Sequence, residues 1–181
     1  MSDAFLPWYA IQVKTSCEQR VRVHLEQRCY SVFLPTQRVR RRWSDRIKIV
    51  DAPLFPGYVF CQFDNHCPAK VITTPGVLNI VGLGRQPAAI ANEEIAALQR
   101  LVRANIDAEP WPYFAVGQMV LVSAGPLAGV EGRVVNMANA WRLVISVTLL
   151  QRSVAVAVNR EWLLPVRGAA AVPAAQKAIA C

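Results

Sequence analysis

Six cations, Arg38, Arg40, Arg41, Arg42, Arg46 and Lys48, crowd into a short stretch with a single acid, Asp45, among them. Charges at that density attract phosphate backbones, although a solvated hairpin tip with no partner has the same composition. Arg20, His24 and Arg28 recur at four-residue spacing and would share one outward face of a helix. Catalytic chemistry finds less support. There is no G-x-x-x-x-G-K-[ST] phosphate loop, no G-x-G-x-x-G, and no Cys-His or Ser-His arrangement that spacing alone would select. The run Gly125-Pro126-Leu127-Ala128-Gly129 has the glycines of a turn but no lysine for a nucleotide. Cys17, Cys29, Cys61, Cys67 and Cys181 form no C-x-x-C pair, and with only His24 and His66 beside them they make a poor zinc site. They read as reduced thiols, mostly small buried hydrophobes. A binding protein without metal or cofactor is expected, not an enzyme.

The elements that must position these residues have to come from 181 residues, of which 54% are hydrophobic, enough for one ordinary domain or two small ones. The longest apolar runs, such as Val154 to Val158, fall far short of the roughly 20 residues that span a bilayer. The start of the chain, with Asp3 and Pro7, lacks a basic-then-apolar signal, so a cytoplasmic protein without a membrane partner is expected. The net charge is +8. Residues 1–103 hold 14 Lys/Arg against 8 Asp/Glu, and residues 104–181 hold 6 against 4, so the first part carries the field.

Trp8 to Lys14 reads as a strand buried on much of both faces. A helix follows, with Ser16 and Gln19 as a capping box and Cys17, Val21, Leu25 and Cys29 as its apolar stripe. Ser31 to Leu34 is a short strand ended by Pro35, and the arginine-rich stretch forms a hairpin or extended loop whose returning arm, Arg46 to Ile49, alternates basic with apolar. Gly57 to Phe63 carries apolar residues on both faces and belongs centrally in a sheet. Pro75-Gly76 marks a turn before a strand from Val77 to Val81. Asn92 is a plausible cap for a helix whose apolar face is Ile95, Leu98 and Val102. Pro110 and Pro112 suit an irregular linker. From Gly117 the texture changes to short strands over 119–122, 130–136, 141–149 and 152–158, a small β-barrel, before an alanine-rich tail expected to fray.

Trp8-Tyr9 opening a strand, a basic helix after it, Pro53-Leu54-Phe55-Pro56-Gly57-Tyr58-Val59-Phe60 and then Thr74-Pro75-Gly76-Val77 resemble the amino-terminal (NGN) domain of the NusG/RfaH family. The stretch from Gly117-Gln118 through Gly125-Pro126-Leu127 to Glu131-Gly132 resembles the KOW signature. Together they cover roughly residues 8–166. The resemblance implies an α+β chain: an α/β sandwich NGN domain, its antiparallel sheet flanked by helices, over 1–103, a linker over 104–113, an SH3-like KOW barrel over 114–166 and a flexible tail over 167–181.

It implies, further, a monomeric transcription elongation or antitermination factor whose first domain binds the clamp helices of RNA polymerase. Tyr58, Phe60 and Leu83 match the apolar pocket positions of that contact. Both rings also read as ordinary core. Gln12 stands where RfaH has an aromatic pocket residue, and the region His66 to Thr74 lacks the His-Thr-Thr gate-loop motif. Lys14, Arg20 and His24 match the basic face that contacts the non-template DNA strand, with Gln27 at one further basic position and Arg28 beside it as a substitute. The KOW domain implies Rho or a small-subunit ribosomal protein as a partner. Its valines and glycines disfavour refolding as helix. A specialised paralogue leads, with housekeeping NusG, or a KOW-containing RNA- or ribosome-binding protein without a polymerase role, as alternatives.

Overall fold

The computed structural model describes residues 6–42, 47–83, 86–111, 117–137 and 140–166, excepting the side chains of 41, 42, 47, 48, 83, 109–111, 136, 137 and 140. The expected tail and Arg46 lie outside the described residues. The first part of the chain runs β1 (Trp8–Val13), α1 (Glu18–Gln27), β2 (Ser31–Phe33), β3 (Thr36–Arg42), β4 (Ile47–Pro53), β5 (Tyr58–Gln62), α2 (Ala69–Ile72), β6 (Val77–Ile80), the two-residue strands β7 (Gly82–Leu83), β8 (Gln86–Pro87) and β9 (Ala89–Ile90), and α3 (Asn92–Arg103). Its main sheet has the order β2-β5-β1-β6, with β9 also on β1, and its pairings are antiparallel.

Central placement explains the unbroken apolar run of β5. Val59 and Cys61 face one layer, packing with Val21 and Leu25 of α1 and Val71 of α2. Phe60 faces the other, in a cluster with Ile95, Leu98 and Leu101 of α3. The strand is buried on both faces at Val59, Phe60 and Cys61, where the sequence pattern asked for cover on at least one side. Cys61 is fully buried, and burial pushes its thiol up to about 12.

The capping box at Ser16 does not form. Ser16 takes a left-handed φ of 65°, and α1 begins after Cys17 without a side-chain cap. The first helical residue is instead Glu18, buried at 6% exposure, whose carboxylate accepts the Gly57 backbone N–H at 2.9 Å. Gly57 has φ 83°, so one buried acid fastens the start of α1 to the turn that launches β5. The apolar stripe also ends earlier than expected: Cys29 lies past the helix, exposed, at φ 63°. At α3 the difference is one residue, Asn92 standing inside the helix and Ala91 at its boundary.

The second part comprises β10 (Ala108–Trp111), β11 (Gln118–Val122), β12 (Glu131–Met137), β13 (Ala140–Val147), a 3-10 turn at Thr148–Leu150, β14 (Arg152–Ala157) and β15 (Leu163–Pro165). They form one antiparallel sheet ordered β10-β14-β13-β12-β11-β15. The expected linker is not wholly irregular, because β10 pairs with β14 through Pro110 opposite Val154. An edge strand tolerates proline, whose missing N–H can face away from the ladder.

The two sheets share a core. One apolar cluster joins Phe55, Phe60, Ile95 and Leu98 to Val120, Leu127, Val130, Leu143 and Ile145 of the second sheet. Polar contacts line its rim. Glu94 of α3 accepts from the Thr148 hydroxyl at 2.7 Å, and Arg100 donates to the Ala128 carbonyl at 3.0 Å. Gly129, at φ 79°, is where Arg100 approaches: a Cβ there would lie 2.8 Å from its Nη1.

Candidate functional site

Tyr58 and Phe60 share a face of β5, as their spacing required, but they are not equivalent. Phe60 is fully buried, its ring 6.2 Å from that of Phe33 and 5.9 Å, edge-on, from that of Phe55. Tyr58 is half-buried at the rim of the shared cluster. The Arg152 guanidinium of the second sheet sits over its ring at 5.0 Å and donates to the neighbouring Pro56 carbonyl at 3.4 Å. Cation and ring attract through the ring quadrupole. Leu83 lies in β7, and its side chain is outside the described residues. In this arrangement the second sheet closes over the aromatic patch. No sequence signal marked Arg152, because its partner lies 94 positions away in the chain and only the packing of two units joins them.

The basic groups fall into two sets. Lys14 and Arg20 are exposed and His24 is half-buried, at the end of β1 and along α1. Arg28 lies just past α1, and its Nη1 donates to the Lys70 carbonyl of α2 and to Thr74 Oγ1 beyond it, fixing the end of α1 against α2 and the residues that follow. That guanidinium is partly committed inside the protein. The second set is on the β3–β4 ribbon, a two-stranded sheet of its own. Arg38 and Arg40 are exposed there, and Arg41 and Arg42 have described backbone in β3 but undescribed side chains. Gln37, at the base, accepts the Ala108 N–H at 2.9 Å and moors the ribbon to the start of β10.

Among the described residues no group of three or more His, Cys, Asp or Glu could hold a metal ion. Nor is any described helix long and apolar enough to cross a membrane. What the geometry offers is surface: an aromatic patch under a polar latch, and two cationic faces.

Comparison with known proteins gives a consistent answer. The family model described as transcription termination factor NusG matches residues 6–99. The chain is 28% identical to the transcription termination/antitermination protein NusG of Thermus thermophilus over 152 residues, covering 73% of this chain and 83% of that one. With the NusG of Escherichia coli O6:H1 it is 28% identical over 166 residues, covering 84% and 92%. Among solved structures, one concerned with domain interaction in Thermotoga maritima NusG aligns with a TM-score of 0.56 at 20% identity, covering 89% of this chain and 97% of that one. With more than half its length matched, and with the aromatic strand and basic helix lying within the matched span, the chain belongs to the NusG family of transcription termination and antitermination factors.

Proposed function

We propose that this protein is a bacterial elongation and antitermination factor, specialised rather than housekeeping, that docks on the clamp helices of RNA polymerase through Tyr58, Phe60 and Leu83 and acts in the cytoplasm. The observation that carries the reading is Tyr58: the family match encloses its strand, and the ring stands at the rim of an apolar patch with the Arg152 cation over it. Phe60 supports it from beneath, and docking needs the second sheet to move away. That sheet, read as an SH3-like KOW barrel over 114–166, then becomes free to recruit Rho or a small-subunit ribosomal protein. The specialised role rests on the two cationic faces, Lys14, Arg20, His24 and Arg28 against the non-template strand and Arg38, Arg40, Arg41 and Arg42 on the ribbon. Family membership is what favours binding over catalysis.

Retention of purified polymerase by the immobilised chain tests this. Arg152→Ala is expected to raise retention, by about tenfold if the lost contact holds about 1.4 kcal/mol of the closed form. Tyr58→Ala, checked for folding by circular dichroism, is expected to abolish it even in the Arg152→Ala background. Retention that ignores both substitutions would rule the docking surface out.

A further inference from the structure

We propose that a cavity at the seam between α3 and the second sheet binds a short zwitterionic peptide, extended and about three residues long, and that the bound peptide holds the two sheets together. The site stands on its own geometry; only its consequence for docking rests on the reading above. The cavity has a volume of about 460 Å³, within the range of small-ligand sites, which favour the joints between structural units. It exists because two strands part. β12 and β13 pair from Met137 opposite Ala140 to Arg133 opposite Val144, and the ladder stops short of Glu131 and Ser146. The gap is bridged by α3: Glu94 holds Thr148 on the β13 side, and Arg100 holds the Ala128 carbonyl on the side that leads into β12. Between those two fastenings α3 presents Ala96 and Ala97, and the sheet presents Gly132 and Val144, so the walls are small and mostly apolar.

Charge decides what such a cavity takes. Glu93 and Glu94 line it in the first turn of α3, and Arg100 lines it further along the same helix. The helix advances about 10 Å from Glu93 to Arg100, so acid and base stand at opposite ends. Glu131 and Arg133 add one charge of each sign from β12. Glu94 and Arg100 bond to neutral groups, a hydroxyl and a carbonyl, and no ion pair among the described residues involves any of these five side chains. Both signs are thus left without a counterion beside apolar walls. A ligand of one sign would compensate one end and be repelled at the other, whereas an ammonium and a carboxylate on one molecule compensate both. An extended chain gains at most about 3.6 Å per residue, so three residues reach from Glu93 to Arg100 and a single amino acid does not. The ammonium faces Glu93 and Glu94, and the carboxylate faces Arg100 and Arg133. Touching α3 and the second sheet at once, the peptide binds the closed arrangement alone and stabilises it by mass action.

Isothermal titration calorimetry of the full chain with the tripeptide Ala-Val-Ala, its N-acetyl form and its C-terminal amide tests the site. The free tripeptide is expected to bind and to raise the midpoint of thermal unfolding, and each capped form to bind about tenfold more weakly through loss of one charge-assisted contact. Glu93→Gln should weaken the free tripeptide while leaving the acetylated form unchanged, and Arg133→Gln should do the same for the amide, because each substitution and its matching cap delete the same contact. Both side chains are exposed, so the fold is expected to survive, which circular dichroism checks. Equal affinity for free and capped peptides, no binding at millimolar concentration, no rise in the midpoint, or variants that lose free and capped forms alike would overturn the site. Polymerase retention reports separately: on the docking proposed above, saturating tripeptide should lower it. Retention unchanged by a peptide that calorimetry shows bound would mean that docking does not need the second sheet to move, and would leave the site standing.

Discussion

Cys61 shows how far one side chain can be pushed by its place in a sheet. Its thiol is sealed between β5 and α1, and burial alone raises its pKa to about 12 from an ordinary 9.0. The neutral form is the one the fold accepts, so the contribution is fully present below about pH 9 and is lost as pH rises toward 12. Tyr9 shifts the same way, through burial first and the Asp64 charge second. Denaturant titrations are expected to show stability falling above pH 9 by about 1.4 kcal/mol per pH unit for the Cys61 proton, with Tyr9 adding to the fall only above pH 10, and Cys61→Ala should remove the first contribution. Thiol labelling of the folded chain gives a second check: Cys29 and Cys67 are exposed and should react, while Cys61 should stay protected until the chain unfolds. Composition already placed the cysteines as small hydrophobes, which holds for Cys61 and not for Cys29 or Cys67.

At the level of elements, the joint between α1 and β5 hangs on Glu18. Glu18→Ala leaves the Gly57 N–H without its acceptor and is expected to cost about 1–3 kcal/mol in chemical denaturation; a cost near zero would mean that water serves Gly57 equally well. This joint was hidden in the sequence, where Ser16 and Gln19 advertised a capping box, because local patterns cannot register an acceptor needed 39 residues away. Periodicity did reveal β1, β5, α1, α3 and four strands of the second sheet to within a few residues, since each buries a face whose spacing is written in its own side chains. The strands β7, β8, β9 and β15 were not legible: unlike β2, whose β-branched and aromatic residues stop at Pro35, they are two or three residues without a β-rich run, and their pairing partners define them. Pro110 hid β10 in the same way, a residue that argues against a central strand being compatible with an edge. Of the candidate site, the arginine-rich stretch was visible as a hairpin or extended loop and the aromatic pair was picked out through the family resemblance, since the residues alone read equally as core, whereas the cover over Tyr58 could not be read at all.

For the molecule as a whole, the shared apolar cluster makes the two sheets one energetic unit. Heating or denaturant is expected to unfold the chain in a single transition followed alike by far-ultraviolet circular dichroism and tryptophan fluorescence. Glu94→Ala/Arg152→Ala should weaken the seam enough to separate the two signals; coincident curves in that variant would show that the apolar contact suffices without the rim. The position of β10 adds a last consequence. Only residues 104–107 separate the end of α3 from this strand, which belongs to the second sheet. Such a tether spans at most about 18 Å when fully extended. If β10 travels with its sheet, the released unit stays close enough to its old seat to return at an effective concentration in the millimolar range. On the docking proposed above, a competitor for the uncovered patch would contend with a neighbour that cannot diffuse away, and reclosure is expected once that competitor leaves.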